Sequence, residues 1–330
     1  MFWFLQVKNN SLQAPYDFYI PFFYTLGFAA AHKLIVNFVL KPLSFWLLPV
    51  CHKKVKKNSN QTLTNADSAV DINRPKIKKR GKTEIVNDLG EDFVDFVDEN
   101  GLKKDENEVV RKKFVISCWR FIQYSVCVVT GIYVLSAAAF AFDPKSWFAK
   151  WPNHGMSNME KTYYHIGFGS YAYAIIDIFI QPKQKDFGAM ITHHVATLFL
   201  IYLSYMWGFH RIGCVILLLH DISDPFMEIA KACLYAKKQL LADIFITSFA
   251  LVFLFTRVFV YPYYVISSIP LYAYFDDGSL LPTGYVHYSC LAALLVLQML
   301  HIYWAYLLLK VVVKAIVSGG VQGDVRDKDE

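Results

Sequence analysis

The chain has 330 residues, of which 55% are hydrophobic and 17% aromatic, whereas only 18% are charged. Soluble domains carry roughly 25% charged residues, so this composition excludes an ordinary soluble protein. The charge is dense between Lys53 and Glu108 and sparse in the long stretches on either side. This segregation predicts an all-α polytopic membrane protein with one hydrophilic loop.

Charge and cysteine content exclude two further classes. The formal net charge of +6 is modest, and no nucleic-acid-binding module accompanies the basic clusters, so no nucleic-acid partner is expected. The six cysteines have no CxxC spacing and lie mostly in apolar runs. A disulfide framework or a cysteine-based zinc site is therefore not expected.

Seven apolar segments are long enough to cross a bilayer, which needs roughly 20 apolar residues per helix. The predicted spans are residues 16–39, 114–141, 162–180, 188–207, 212–234, 243–266 and 284–313. The first span has no basic start and no small-residue cleavage pattern, so we expect it to be retained rather than removed as a signal peptide. Residues 40–50, with Pro42 and Pro49, are predicted to form a short interfacial segment.

Lysine and arginine in the loops predict the orientation, because these residues are enriched on the cytosolic side. Basic runs follow the first span at Lys53–Lys57, Arg74–Lys82 and Arg111–Lys113, whereas Val258 to Leu309 contains neither residue type. The C-terminus is therefore expected in the cytosol and the N-terminus in the lumen. Asn9 begins an N-glycosylation sequon on that lumenal side.

Four regions follow from this topology. They are a lumenal N-terminus with the first span and interfacial segment (1–50), a charged cytosolic loop (51–113), a helical domain (114–314) and a cytosolic tail (315–330). The loop is basic up to Lys82 and acidic from Glu84 to Glu99, a pattern typical of disordered segments. One interpretation is a tether lying on anionic lipid, and a short regulatory helix at Glu91–Glu99 is the alternative.

Ionisable residues inside apolar spans are costly to place there and mark candidate functional positions. One region concentrates them, with His193 and His194 in the fourth span and His220, Asp221, Asp224, Glu228 and Lys231 in the fifth. On one helix the last four would share a face, which cannot be turned towards lipid. The sequence therefore predicts a polar intramembrane pocket, and a purely structural network that clamps helices together is the alternative.

Pro225 interrupts this polar stretch. It lacks an N–H, so we expect the fifth span to bend there and to leave the Asp221 carbonyl without its helical partner. Such a defect persists within a bilayer only where protein or water satisfies the freed group.

The histidine pattern bears on two metal sites. A di-iron hydroxylase needs several HxxxH or HxxHH boxes, and this chain has one adjacent pair and no such box. A single zinc ion at His193, His194 and Asp224 has suitable ligand types, but consecutive helical residues point about 100° apart. We therefore expect no metal and no resident cofactor.

The stretch Lys185–Ala236 resembles the longevity-assurance motif of ceramide synthases, which belong to the wider group of TLC-domain membrane proteins. The matching residues are Asp186, Phe187, His193, His194, Thr197, Ser204, Tyr205, Arg211, Ile212, Gly213, His220, Asp221, Asp224, Glu228, Lys231 and Tyr235. Lys113–Tyr124 and Leu300–Lys310 resemble the opening of the family's second span and its last span. Pro225, where the family commonly has an aliphatic residue, and the lack of a homeobox-like insert in 51–113 are departures.

The resemblance implies that spans two to seven form a helical barrel around an intramembrane active site, in the endoplasmic reticulum membrane. It implies transfer of a fatty acyl group from acyl-CoA, as co-substrate, to the amine of a sphingoid base. His193 is expected to attack the thioester and form an acyl-imidazole, and direct transfer with His193 as general base is the alternative. Asp221 and Asp224 are expected to orient the imidazole and take up the amine proton, with His194 as a relay.

Supporting or substrate-binding roles are expected for His220, Glu228, Lys231, Arg211, Trp119, Arg120, Asp177 and Trp304. A basic rim with Lys183, Lys185 and Arg120 suits the phosphates of CoA, although solvated topology charges explain these residues equally well. The loop from Ser267 to Thr283 is expected to form the floor of the acyl pocket.

Membrane lipids surround such a protein, and a homodimer or a small membrane subunit is a candidate partner. The competing hypothesis is a non-enzymatic TLC protein, such as a translocon-associated factor, a lipid carrier or a regulator of membrane composition. We expect such a protein to lose part of the acidic stripe, which is complete here.

Overall fold

The computed structural model describes residues 19–48, 106–151, 154–273 and 285–318. All regular secondary structure in these ranges is helical, which confirms the all-α prediction. Asn9, nearly all of the charged loop 51–113 and the tail beyond residue 318 lie outside the described residues, so the predictions made for them stay predictions.

The helices of the described residues follow the predicted spans. They are α1 (Ile20–Leu47), α2 (Glu106–Ser136), α3 (Pro144–Phe148), α4 (Asn158–Ile180), α5 (Phe187–Met206), α6 (His210–Asp221), α7 (Asp224–Tyr235), α8 (Gln239–Tyr272) and α9 (Tyr285–Ser318). Five of them, α1, α2, α5, α8 and α9, are long and apolar enough to cross a membrane by composition alone. The protein is therefore a multi-pass membrane protein, as predicted.

Two boundaries differ from the prediction for identifiable reasons. Helix α4 begins at Asn158, before the expected residue 162, because Ser157 and Glu160 form a capping box that satisfies the first backbone N–H groups. Helix α1 continues past the expected end at residue 39, so residues 41–47 are helical and continuous with the first span, and their interfacial position stays a prediction. A π-turn at Val36–Leu40 precedes Pro42, which lacks an N–H and cannot make a regular α-helical hydrogen bond.

Six elements close into a ring. Around it the order is α2, α4, α5, α9, α8 and then the α6–α7 pair, which packs back against α2. Helix α1 lies outside the ring against α4, where a Cβ on Gly169 would come within 2.7 Å of Tyr24 Cβ. The closed ring confirms the predicted helical barrel.

The barrel has two distinct ends. The end at which α2, α5 and α8 begin carries Lys112, Lys113, Lys183, Lys185, Lys237 and Lys238 and is called the basic end below. The opposite end is closed by α3 and buried aromatic side chains. Trp147 donates its indole N–H to the Phe140 carbonyl over 2.8 Å, and Trp151 donates to the Trp207 carbonyl over 2.8 Å.

The fifth predicted span is broken rather than bent. Helix α6 ends at Asp221 and α7 begins at Asp224, with Pro225 in the first turn of α7, where its missing N–H costs nothing. The prediction that Asp221, Asp224, Glu228 and Lys231 share one face of a continuous helix is therefore wrong. Asp221 belongs to a different helix from the other three, which lets the two aspartates make different contacts.

Helix α8 contains a long π-helical section, Leu254–Ile266, in place of a regular α-helix. Its wider turn, with bonds from each N–H to the fifth preceding carbonyl, accommodates Pro262 inside the span. The section turns Arg257 and Tyr261 into the barrel interior, where both side chains are buried.

Candidate active site

His193 and His194 lie in the barrel interior on α5, and both side chains are buried. Their ring centroids are 5.2 Å apart, and the Nδ1 atom of each ring is buried without a hydrogen-bond partner. Trp304 of α9 packs edge-on against His193 at 5.4 Å. The indole N–H of Trp304 donates to Asp186 Oδ2 over 3.3 Å, which fixes the tryptophan at the basic end of α5.

Tyr171 of α4 connects the histidines to an aspartate. Its ring centroid lies 6.0 Å from that of His193 and 5.5 Å from that of His194. Its hydroxyl donates to Asp221 Oδ1 over 2.7 Å, and Asp221 Oδ2 is buried without a partner. Asp221 therefore contacts the histidine pair through a tyrosine. Asp221 was expected to orient the imidazole, and the described contacts connect it to the histidines only through the Tyr171 ring.

Asp224 has a different environment from Asp221. Its Oδ1 atom accepts a hydrogen bond from Arg257 Nη2 over 2.7 Å and another from Ser223 Oγ over 3.0 Å. Arg257 is almost completely buried, so this ion pair compensates a charge that would otherwise be costly inside the barrel.

A layer of aromatic and imidazole rings lies behind His193. His220 stacks on His193 with ring centroids 5.9 Å apart, and it packs at a tilt against His301 with centroids 4.8 Å apart. Tyr261 packs edge-on against both His220 and His301. His220 Nδ1 lies 2.8 Å from the Ile216 carbonyl, so Nδ1 carries the proton and donates. This bond fixes the orientation of the His220 ring within the barrel core.

A chamber of about 150 Å³ opens beside the histidine pair. Its polar lining consists of Tyr124, Tyr171, His193, His194, Asp224, Lys231, Arg257 and Trp304, and its apolar lining comes mainly from α7, α8 and α9. The chamber thus brings both predicted histidines and Asp224 to one space. Asp221 does not line it.

A larger cavity of about 590 Å³ lies at the basic end. Its lining includes Lys112, Lys113, Arg120, Lys183 and Lys231, and it shares Tyr124, Met190, His194, Met227 and Lys231 with the chamber. The two spaces are therefore contiguous. The lysines and Arg120 of the outer cavity can bind the anionic part of a ligand, and the adjoining chamber can hold another part of the same ligand beside the histidines.

Two ion pairs shape this outer cavity. Arg120 Nη2 lies 2.7 Å from Asp177 Oδ2, and Gln181 donates to the second carboxylate oxygen over 3.1 Å. Lys231 lies 3.4 Å from Glu228 Oε1. All four charged residues were predicted as supporting positions, and all four line the outer cavity.

A third, apolar cavity of about 70 Å³ lies on the far side of His220, towards the opposite end. Thr197, one helical turn after His193, also lines it. Ile269 and Ala273, from the segment predicted to form the pocket floor, contribute to the lining together with Cys290 and Leu294. The remainder of that segment, 274–283, lies outside the described residues.

Two predicted supporting residues lie away from the chamber. Arg211 donates to the Ser146 carbonyl over 2.9 Å at the opposite end of the barrel, because it stands in the first turn of α6. Trp119 packs between His32 and Tyr173, where α1 docks on the ring. Neither lines any of the three cavities described above.

Three interior residues beside the chamber escaped the sequence analysis, namely Tyr171, Arg257 and His301. Arg257 could have been found by the rule that selected the aspartates, because it is a charged residue inside an apolar span. Tyr171 could not, since aromatic residues are common throughout these spans and nothing in the pattern distinguishes it.

Imidazole is the group in the chamber best suited to acyl chemistry near neutral pH. The lining of the chamber contains no cysteine or serine, and its lysine is paired with Glu228. The arrangement combines two histidines, one accessible carboxylate and adjoining apolar walls. It can therefore support nucleophilic or general-base attack on an activated acyl group.

The chain is similar in sequence to known membrane proteins over about two thirds of its length. The family profile described as TLC domain matches residues 113–310. The chain is 34% identical over 232 residues to "Ceramide synthase LOH2" of Arabidopsis thaliana, covering 68% of this chain and 78% of that protein. It is 37% identical over 228 residues to "Alternaria stem canker resistance protein 1" of Solanum lycopersicum, with 66% and 74% covered. Similarity to "Ceramide synthase 5" of Homo sapiens is 32% over 218 residues, covering 66% of this chain and 55% of that protein.

Proposed function

Because the chain belongs to the TLC-domain family and is similar to proteins named ceramide synthase, we propose that it N-acylates a sphingoid base with acyl-CoA as the acyl donor. The observation that carries this proposal is the position of His193. It lines a chamber that shares lining residues with a basic cavity, and its ring stacks on that of His220, which lines an apolar cavity.

Each cavity suits one part of the substrates. The basic cavity suits the phosphates of CoA, because lysine and arginine side chains there offer charge-assisted hydrogen bonds. The apolar cavity beyond His220 suits the distal part of the acyl chain. The apolar walls of the chamber, from α7, α8 and α9, suit the hydrocarbon chain of the sphingoid base.

The proposed reaction has two steps. In the first, the unprotonated nitrogen of His193 attacks the thioester carbonyl, the carbon–sulfur bond breaks, and CoA leaves as its thiolate. In the second, the sphingoid ammonium gives one proton to Asp224, its amine attacks the acyl-imidazole, and the attacking nitrogen gives its second proton to His194. Asp224 and His194 then release these protons to water. The bond between the acyl carbon and the imidazole nitrogen then breaks, which releases the amide and regenerates His193. Direct transfer with His193 as general base uses the same groups without the covalent step.

The orientation that we propose for the protein in the membrane follows from the location of its substrates. We place the basic end on the cytosolic side of the endoplasmic reticulum membrane, where acyl-CoA is available, and the opposite end towards the lumen. A non-enzymatic lipid carrier would need a cavity but not the histidine pair beside Asp224. The presence of His193, His194 and Asp224 in one chamber therefore favours the enzyme.

The test is a defined assay with purified protein in lipid nanodiscs. Acyl-CoA and dihydrosphingosine are added together, and the amide product is measured by mass spectrometry. We expect amide formation by the wild-type protein and by Val195→Ala, whose side chain is exposed on the outer face of α5. His193→Ala should form none. Amide formation at the wild-type rate by His193→Ala, or none by the wild-type protein, would refute the proposal.

A further inference from the structure

Arg257 is a buried charge that the proposed reaction does not use. It lies in the π-helical section of α8, and its guanidinium stacks over the Phe253 ring at 4.7 Å. Placing a charged side chain inside a membrane span is expensive, so it is retained only where it has a specific partner or function.

The guanidinium joins the two sides of the break between α6 and α7. One nitrogen, Nη2, donates both to the His220 carbonyl near the end of α6 and to Asp224 Oδ1 at the start of α7. The interruption leaves backbone carbonyl groups without helical partners, and in the bilayer interior such groups need another donor. Arg257 supplies that donor from a neighbouring helix.

The same contact determines which atom of Asp224 remains available. Both hydrogen bonds described for this carboxylate end on Oδ1. The Asp224 side chain is nevertheless 18% exposed and lines the chamber, whereas Asp221 is nearly inaccessible and does not. Oδ2 of Asp224 is thus left for a ligand in the chamber.

We propose that Arg257 is a positioning residue for acyl transfer. By binding the His220 carbonyl and Asp224 Oδ1 together, it fixes the relative position of His220, which stacks on His193, and of Asp224. The second oxygen of Asp224 then faces the sphingoid amine and accepts its proton when the amine attacks the acyl group. This inference rests on the proposed function and adds a role that the sequence analysis did not assign.

Substitutions at Arg257 test this role by its effect on turnover. Arg257→Met keeps the approximate size and removes the charge, and we expect kcat to fall by at least about 100-fold while the KM for acyl-CoA stays within about threefold. Arg257→Lys retains a cationic nitrogen that can donate to both acceptors, so we expect kcat within about tenfold of the wild-type value. Thr256→Val, a buried neighbour on the same helical section that lines none of the described cavities, is the matched control and should be unchanged.

A double-mutant cycle separates positioning from general stabilisation. If Arg257 acts through Asp224, adding Arg257→Met to Asp224→Asn should lower kcat by no more than about threefold beyond Asp224→Asn alone. Thermal unfolding of the same four proteins without substrate records any loss of stability.

The outcomes separate the inference from the proposed function. If the kcat losses of Arg257→Met and Asp224→Asn multiply in the double variant, the positioning role alone is overturned. The same holds if Arg257→Met is unstable but turns over at the wild-type rate once folded. A Lys variant no better than the Met variant would also count against it. Failure of the wild-type protein to form amide would instead overturn the proposed function and this inference with it.

Discussion

The Tyr171 hydroxyl donates to Asp221 Oδ1 over 2.7 Å, while the ring of the same tyrosine packs against His193 and His194. Asp221, which the sequence analysis expected to orient the catalytic imidazole, is therefore separated from both histidines by the Tyr171 side chain. Asp221 fixes the tyrosine, and the tyrosine forms one wall of the histidine chamber.

Removing either member of this pair should have the same consequence. We expect Tyr171→Phe and Asp221→Ala each to lower kcat by about 10-fold or more, because the wall next to His193 loses its anchor. The free energy of unfolding should fall by about 1–3 kcal/mol, the usual cost of leaving a buried polar group unsatisfied. Steady-state kinetics of both variants and the double variant provide the measurement. If the kcat losses of the two single variants multiply in the double variant, Tyr171 and Asp221 act independently.

The basic cavity makes a prediction about the CoA portion of the donor. Lys112→Gln and Lys183→Gln should each raise the KM for acyl-CoA by about threefold to tenfold, and the effect should shrink at high salt, since exposed charges are screened. Lys238→Gln, outside the three cavities, is the control. With an acyl thioester of N-acetylcysteamine, which has no phosphates, the variants should match the wild-type protein. An equal effect on both donors would contradict phosphate binding.

The apolar cavity beyond His220 makes a prediction about acyl chain length. Cys290 lines this cavity, so Cys290→Phe should fill part of it and shift the preferred acyl-CoA to shorter chains. Ala292→Phe introduces the same ring two residues along α9, on an exposed position of the helix, and should leave the preference unchanged. The measurement is competition among acyl-CoAs of different lengths. An unchanged profile in Cys290→Phe would show that the chain end lies elsewhere.

His154, in the segment before α4, makes a prediction about pH. It is buried, and its ring centroid lies 4.9 Å from that of His210. Burial, and next the neighbouring His210, lowers the pKa of His154 from 6.5 to about 4. The unfolded chain therefore binds a proton that the folded protein does not bind between these two pH values.

The sign of the effect follows directly. The contribution of neutral His154 is fully present above pH 6.5 and is lost as the pH falls towards about 4. Thermal unfolding at about pH 7.5 and about pH 5 should show a larger loss of stability for the wild-type protein than for His154→Gln. Equal losses in the two proteins would show that His154 does not contribute to the pH dependence.

The fold was largely predictable because its signals are local. Long apolar segments predicted the helices α1, α2, α5, α8 and α9, since roughly 20 apolar residues are required to cross the bilayer core. The start of α4 was missed because Ser157 and Glu160 act as a cap, which a hydropathy pattern does not record. The break at Pro225 was anticipated as a bend. A proline alone does not reveal that Arg257 of α8 donates both to the end of α6 and to the start of α7.

The candidate site was only partly predictable, because contacts across the barrel depend on which helices are neighbours. His193, His194 and Asp224 were selected correctly as members of one chamber. Arg211 was selected as a supporting residue because it belongs to the family motif, but it lies at the other end of the barrel and donates to the Ser146 carbonyl. His193 and Arg211 belong to one sequence motif, but they lie at opposite ends of the antiparallel helices α5 and α6.

We expect His193 to carry the acyl group as a covalent intermediate, and intact-protein mass spectrometry detects such an adduct directly. Wild-type protein incubated with acyl-CoA in the absence of sphingoid base should gain the mass of one acyl group. His193→Ala should gain none, and dihydrosphingosine added afterwards should remove the adduct as amide. No adduct under conditions in which the full reaction turns over would contradict the covalent step and leave His193 as a general base. An adduct that maps to Cys290 would refute the assignment of His193 as the nucleophile.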